Sequence, residues 1–317
     1  MPSTFDIERG EINPSLWQAL PETQAVPLQQ HWGYGHALKA IGVPVEVWQA
    51  SRDGALKAFG IVAKRKFAGL IEVASMMRGP LWVTAPDEGD ASTMAAAFKS
   101  QARPWRWRFL AQQPEMEASD EASQALKRAG LRQIMTGYST PWLDLSVDAA
   151  HLRSNLDSKW RNQLNRAADA HLSISVSGRK PHQYAWLLEK EAEQRKGRGY
   201  HGVPLGLVPL YTDALEENGG EQAVLAVSAL SGKRKIAGAL FLLHGNSATY
   251  HIGWASEEAR AVHAQNRVIF EGMLALKEHG IRFLDLGGVD TTASGAGIAR
   301  FKLGTGAKVK TLVGTYV

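Results

Sequence analysis

Residues 250–288 read YHIGWASEEARAVHAQNRVIFEGMLALKEHGIRFLDLGG, and their reading decides the fold. The opening YHIGWAS has strand composition. Val262, Ile269, Met273 and Leu276 then mark the buried side of a helix over 261–280, with Asn266 close to that side and Gly280 as the stop. The chain returns at once as the apolar strand IRFLDLGG, which ends in Asp285, Leu286, Gly287 and Gly288. Strand, amphipathic helix and strand in direct succession are the makings of an α/β layer.

Upstream, AVLAVSAL (223–230), KIAGALFLLHG (235–245) and SATYHIGWAS (247–256) read as strands, with LSISVSG (172–178) before them. Helices are expected around 182–196 and 207–220. The longest predicted helix is VDAAHLRSNLDSKWRNQLNRAADA (147–170), capped by Ser146. In it Leu152, Leu156, Trp160 and Leu164 form one apolar stripe, Trp160 seals the helix against the sheet, and Arg161 and Asn165 share an adjacent face. Downstream, KTLVGTYV (310–317) is expected to finish the same sheet, so that 146–317 make one domain.

The first half carries predicted strands at 43–51, 55–70, 71–86 and 104–114, and helices at 92–102 and 119–130, the last stopped by Gly130. The expected fold class is α/β of the α+β type, two domains of mixed sheet flanked by helices, with a boundary near residue 145.

The 317 residues are 44% apolar and 21% charged, which is the composition of a folded protein. A formal charge of +5 favours anionic partners such as phosphates, coenzymes or RNA. With no cysteine there are no disulfides, thiolate nucleophiles or thiolate metal sites. The N-terminus carries no leader signal and no apolar run is long enough to span a membrane, so the expected compartment is the cytoplasm. There is no Gly-x-Gly-x-x-Gly between strand and helix, no P-loop, no His-Glu-x-x-His and no Gly-x-Ser-x-Gly. These absences argue against dinucleotide, P-loop, zinc-hydrolase and serine-hydrolase chemistry, and no metal is expected. What remains is a site of backbone, aromatic, amide and basic groups.

The segment GIARFKLGTGAKVK (297–310) sets Phe301 and Lys302 among glycines. Glycines let backbone approach a ligand closely, and an aromatic beside a lysine offers a flat wall with a movable charge. Lys308 and Lys310 alternate along the following strand and extend a positive face or simply solvate it.

Taken together, SKWRNQLNRAADAHLSISV (158–176), the 250–288 stretch and GIARFKLGTGAKVKTLVGTY (297–316) resemble the C-terminal domain of FemABX-type transferases, and LQQHWGYGHALKAIGVPVEV (28–47) with RGPLWV (78–83) resembles the N-terminal one. The resemblance implies two tandem GNAT-like domains, 1–145 helping to shape an acceptor groove and 146–317 carrying transfer. It implies an amine attacking an activated acyl carbonyl, with aminoacyl-tRNA as donor and a peptidoglycan-precursor peptide as acceptor, and no tightly bound cofactor. The long charged helical hairpin that some members insert is missing here.

By that resemblance Lys302 faces the forming oxyanion or a donor phosphate, and Phe301 packs on donor or acceptor. Asp285 either orients the amine or holds the loop through backbone N–H groups, and Gly287 and Gly288 leave room for substrate. Asp290 is a substrate contact. Arg161, Asn165 and Arg166 border the grooves, Arg161 reaching a phosphate or carboxylate or else serving solubility. In the first half Trp32 and Tyr34 line a groove or pack the core, Arg78 meets a diphosphate, and His36 lacks a visible carboxylate partner. The segment 253–269 lacks the glycine pattern that presents N–H groups to the diphosphate of acyl-CoA. Acyl-CoA is therefore the second donor. A basic, non-catalytic protein binding RNA or an anionic peptide is the reading from a different class.

Overall fold

The structure, a computed structural model, describes residues 5–67, 71–102, 108–198, 204–289 and 295–317. It divides into two compact units, one made of 1–139 with 310–317 and the other of 140–309.

The first unit runs β1 (Asp6–Gly10), α1 (Trp32–Ala40), β2 (Val45–Arg52), β3 (Ala55–Phe67), β4 (Ile71–Met77), β5 (Leu81–Trp82), α2 (Asp90–Ser100), β6 (Arg108–Gln113), α3 (Asp120–Arg128) and β7 (Gln133–Met135). β1 to β4 pair antiparallel in sequence order, and β4 pairs β6 in parallel. α2 lays Met94 and Phe98 onto Trp48, Val62 and Met76, an apolar layer removed from water. Ser119 caps α3 by accepting the Ala122 N–H at 3.0 Å, and Gly130 closes it at φ 84°.

The second unit holds β8 (Ser139–Asp144), α4 (Ala149–Ser154), α5 (Ser158–Asp169), β9 (Ser173–Ser177), α6 (Pro181–Arg198), α7 (Leu207–Glu217), β10 (Val224–Ser231), β11 (Arg234–His244), β12 (Ser247–Ala255), α8 (Glu257–Ala261), α9 (Ala264–Glu278), β13 (Phe283–Asp285), α10 (Ala296–Leu303) and β14 (Lys308–Thr311). Strand order is β14-β8-β13-β12-β11-β10-β9. β10 and β11 are buried along nearly their whole length, because helices cover both faces. Gly272 of α9 approaches Phe241 so closely that a Cβ would lie 2.7 Å from its ring, while Gly238 lies under Trp186 of α6 at the same spacing. Residues 238 and 241 of β11 point to opposite faces, which puts α9 and α6 on opposite sides of the sheet.

Three expectations differ. The helix predicted over 147–170 is two helices, because Asp157 accepts the N–H groups of Lys159 and Trp160 at 2.9 and 3.4 Å and starts a new one. Its first half is capped by Asp148, which accepts the His151 N–H at 2.7 Å, and not by Ser146, whose own N–H goes to Asp144. The apolar stripe survives the break, with Leu152, Leu156, Trp160 and Leu164 all buried. The helix predicted from 261 starts at Ala264, after His263 turns left-handed at φ 56°. Finally, the terminal residues do not complete the second sheet alone. Lys308–Thr311 edges it as β14, but β15 (Thr315–Tyr316) pairs β6 and β7 in the first sheet.

Candidate functional site

β13 ends where its parallel ladder with β12 ends, at Asp285 opposite Thr249. Asp285 is 2% exposed. Its Oδ1 accepts the Gly287 N–H at 2.8 Å and the hydroxyl of Thr140 from β8, so of its two predicted roles the loop-holding one is visible in the bonds. Gly287 takes φ 73°, a left-handed turn that a glycine makes without strain.

That turn presents two carbonyls to one cation. Lys302, in the last turn of α10, donates to Gly287 O at 3.3 Å and Gly288 O at 2.9 Å. Burial pulls its pKa below the usual lysine range, while the Asp285 carboxylate opposes the shift. An ammonium has three N–H donors, and two are committed here. The structure thus brings Lys302, Asp285, Gly287 and Gly288 together. Asp290 lies outside the described residues.

Phe301 is half-buried against Trp160, ring centroids 5.8 Å apart, and its carbonyl accepts the Trp160 indole N–H at 3.1 Å. The pair anchors α10 to α5, so Lys302 projects from a helix fixed by packing. Arg161 reaches the Ser154 carbonyl at 3.3 Å, and Asn165 is exposed and accepts from Arg153. Arg166 is exposed on the same helix. These contacts stitch α4 to α5. Asn266, buried in α9, donates to Gln163 of α5 at 3.3 Å.

Beside Gly287 runs β12, and its register shifts: Leu240 pairs Ile252 and Phe241 pairs Tyr250, leaving His251 as an extra residue in a β-bulge. Sequence reading missed both His251 and Thr140. Alternation along SATYHIGWA does not reveal a bulge, and Thr140 meets Asp285 from far along the chain.

A coenzyme A diphosphate fits poorly beyond β12. α8 places Glu257 and Glu258 in its first turn and uses the Ser256 hydroxyl on the Ala259 N–H. At the start of α9 the Asn266 N–H is spent on His263 O at 3.0 Å. Carboxylates at a helix start repel a diphosphate.

In the first unit Trp32 is buried in α1, with His36 edge-on at 6.1 Å, and burial raises the pKa of the half-buried Tyr34 phenol against the Arg65 charge. Arg78 is 2% exposed and gripped by Glu115 through two bonds of 2.8 and 2.9 Å. Two of the five N–H groups of its guanidinium are thus committed to a carboxylate. Lys310 also contacts Glu115, at 3.2 Å, whereas Lys308 is exposed.

Two mixed sheets flanked by helices in this order make a tandem GNAT-like fold. The solved structure described as FemX matches with a TM-score of 0.78 at 16% identity, over 98% of this chain and 96% of that one. A tandem GNAT protein from the clavulanic acid biosynthesis pathway matches at 0.55 and 13% identity, over 98% of each chain, and L-PGS from Bacillus licheniformis at 0.57 and 12%, over 97% and 92%. No curated protein matches in sequence. Residues 217–317, which include β12, β13 and Lys302, match the model of the FemAB family. No described helix is long and apolar enough to cross a membrane.

Proposed function

We propose that this protein transfers an acyl or aminoacyl group from an activated ester to an amine, with aminoacyl-tRNA as donor and a peptidoglycan-precursor peptide as acceptor. The observation that carries the reading is Lys302, held over the Gly287–Gly288 turn by two carbonyls inside the segment that matches the FemAB family. When an amine attacks an ester carbonyl, negative charge gathers on the carbonyl oxygen, and a fixed cation with an N–H to spare stabilises it. Asp285 and Thr140 fix the turn, so the cation is positioned before the reaction begins. No covalent protein intermediate is required, which suits a chain without cysteine. The net charge of +5 favours an RNA-borne donor, and the Glu257–Glu258 helix start disfavours coenzyme A. A donor of this kind puts the reaction in the cytoplasm.

The test is incubation of the protein with a pool of charged tRNAs, or separately with acyl-CoAs, and an amine-bearing precursor peptide, followed by mass analysis. Transfer from charged tRNA supports the proposal. Transfer from acyl-CoA alone reverses the donor, and RNA affinity with no transfer from any donor replaces the enzyme by a binding protein.

A further inference from the structure

Lys302 is followed by Leu303, Gly304, Thr305 and Gly306, a stretch to which the transfer reaction gives no task. α10 is thinly packed for a helix that carries the charge of the site. Ala299 is its buried side chain, Phe301 is half-buried, and Ile298 and Leu303 are 54% and 42% exposed. What fixes its C-terminal end is polar. The last carbonyls of a helix lack partners within it, and here three of them find partners beyond its end or on α5. Phe301 O accepts the Trp160 indole N–H at 3.1 Å, and Gly304 O accepts the Asp157 N–H at 2.9 Å. Lys302 O accepts twice from Thr305, from its N–H at 3.2 Å and from its hydroxyl at 2.6 Å. Two glycines permit this close approach. A Cβ on Gly304 would lie 2.7 Å from Trp160 Cδ1, and one on Gly306, at φ 81°, would lie 2.4 Å from Asn155 O.

Thr305 is the polar side chain in that clasp, and it is 1% exposed. Its N–H already closes the helix end on the Lys302 carbonyl. The hydroxyl therefore adds a second, shorter bond to an oxygen that has a donor, at the very residue whose side chain bears the charge. A lysine stem is long and flexible, so the place of its Nζ is set from both ends. At the far end Nζ bonds Gly287 O and Gly288 O, on the turn that Asp285 holds. At the near end the Cα goes where Thr305 holds the backbone.

We propose that Thr305 is a positioning residue for Lys302, an inference that rests on the transfer reaction above. By gripping the Lys302 carbonyl, its hydroxyl sets the Cα from which the ammonium reaches the Gly287–Gly288 turn. Thr305 itself touches no reacting atom. Without the hydroxyl the last turn of α10 loosens, and the ammonium exchanges its two carbonyls for water. A misplacement of about 1 Å costs on the order of 10²-fold in rate. Release also changes the titration of the lysine. Burial is the larger influence on Lys302 and holds its pKa below 10.5, with Asp285 of β13 opposing it, so a lysine freed from both titrates higher. Of the other cations nearby in sequence or on α5, Arg300 is exposed and Arg161 is turned to the Ser154 carbonyl.

The experiment compares wild type, Thr305→Val and Thr305→Ser in single-turnover transfer from charged tRNA to the amine-bearing precursor peptide, with tRNA binding measured separately. NMR of the lysine side chains, assigned with Lys302→Arg, follows the titration of Lys302 in each protein. Thr305→Val should be slower by roughly 10- to 10²-fold with tRNA binding unchanged, and its Lys302 should titrate at higher pH than in wild type. Thr305→Ser, which keeps the hydroxyl, should restore both. A Thr305→Val protein within about threefold of an active wild type, with the same lysine titration, overturns the role of Thr305 and leaves the transfer reading intact. Equal defects in the Val and Ser variants also overturn it, since the hydroxyl would then not be what matters. A wild type inert with every donor overturns the transfer reading and this role with it. If Thr305→Val folds poorly, Thr305→Cys replaces it, with similar volume and a weaker donor, and the same directions are expected; a Cys variant that transfers and titrates as wild type refutes the role.

Discussion

Lys302 is held by acceptors that a smaller or neutral side chain would abandon. Lys302→Ala should slow single-turnover transfer by roughly 10²- to 10³-fold with little change in donor binding, since one placed electrostatic donor contributes about 2.7–4 kcal/mol to such a step. Weakened donor binding with normal turnover would assign the lysine to a phosphate instead. Because its pKa lies below the ordinary 10.5, a rate that needs the ammonium should fall on the alkaline side earlier than for a free lysine. His251 gives a second, structural readout. Its folded pKa of about 4 is below the ordinary 6.5, so the unfolded chain binds more protons between those values and stability falls as pH drops through that window. Compared with His251→Gln, the wild type should lose about 3 kcal/mol between pH 7 and pH 4 in urea unfolding; equal losses would contradict a neutral buried imidazole. Lys302 and Asp285 are legible in sequence because glycines flag a backbone turn and the two follow one another along the chain. Thr140 and His251 are not, since their meaning lies in partners brought from elsewhere and in a register shift.

The helices show where local signals suffice. α9 is readable from its buried stripe and Gly280, but the break between α4 and α5 depends on Asp157, whose side chain caps α5 and whose N–H bonds Gly304 O at 2.9 Å. An apolar spacing of four persists through such a break, so periodicity alone merges the two. Glycines inside helices divide similarly. Gly272 supports Phe241, and Gly272→Val should cost about 1–3 kcal/mol by overpacking. Gly197, exposed in α6 with nothing near its Cβ position, should gain about 0.5–1 kcal/mol as Gly197→Ala. Urea midpoints that move in the same direction for both would show that helix propensity, and not the approach of α9 to the sheet, governs Gly272.

At the scale of the whole chain, two α/β units are legible because each has its own run of strands and amphipathic helices. The ownership of the last residues is not, because a two-residue strand has no periodicity and its partners, β6 and β7, lie far back in the chain. Leu312, Val313 and Tyr316 are buried, and the backbone of Val317 exchanges two hydrogen bonds of 2.9 Å with Arg132. Each of those three side chains contributes roughly 1.5–3 kcal/mol on burial, so together they approach the net stability of a typical domain. Deleting 312–317 should therefore unfold the first unit while the second, which ends at Val309, stays folded. Hydrogen exchange on the truncated protein should find 108–113 and 133–135 unprotected and 224–244 still protected. Equal loss in both regions would mean that the units unfold as one, and equal retention would mean that the first sheet stands without its terminal strand.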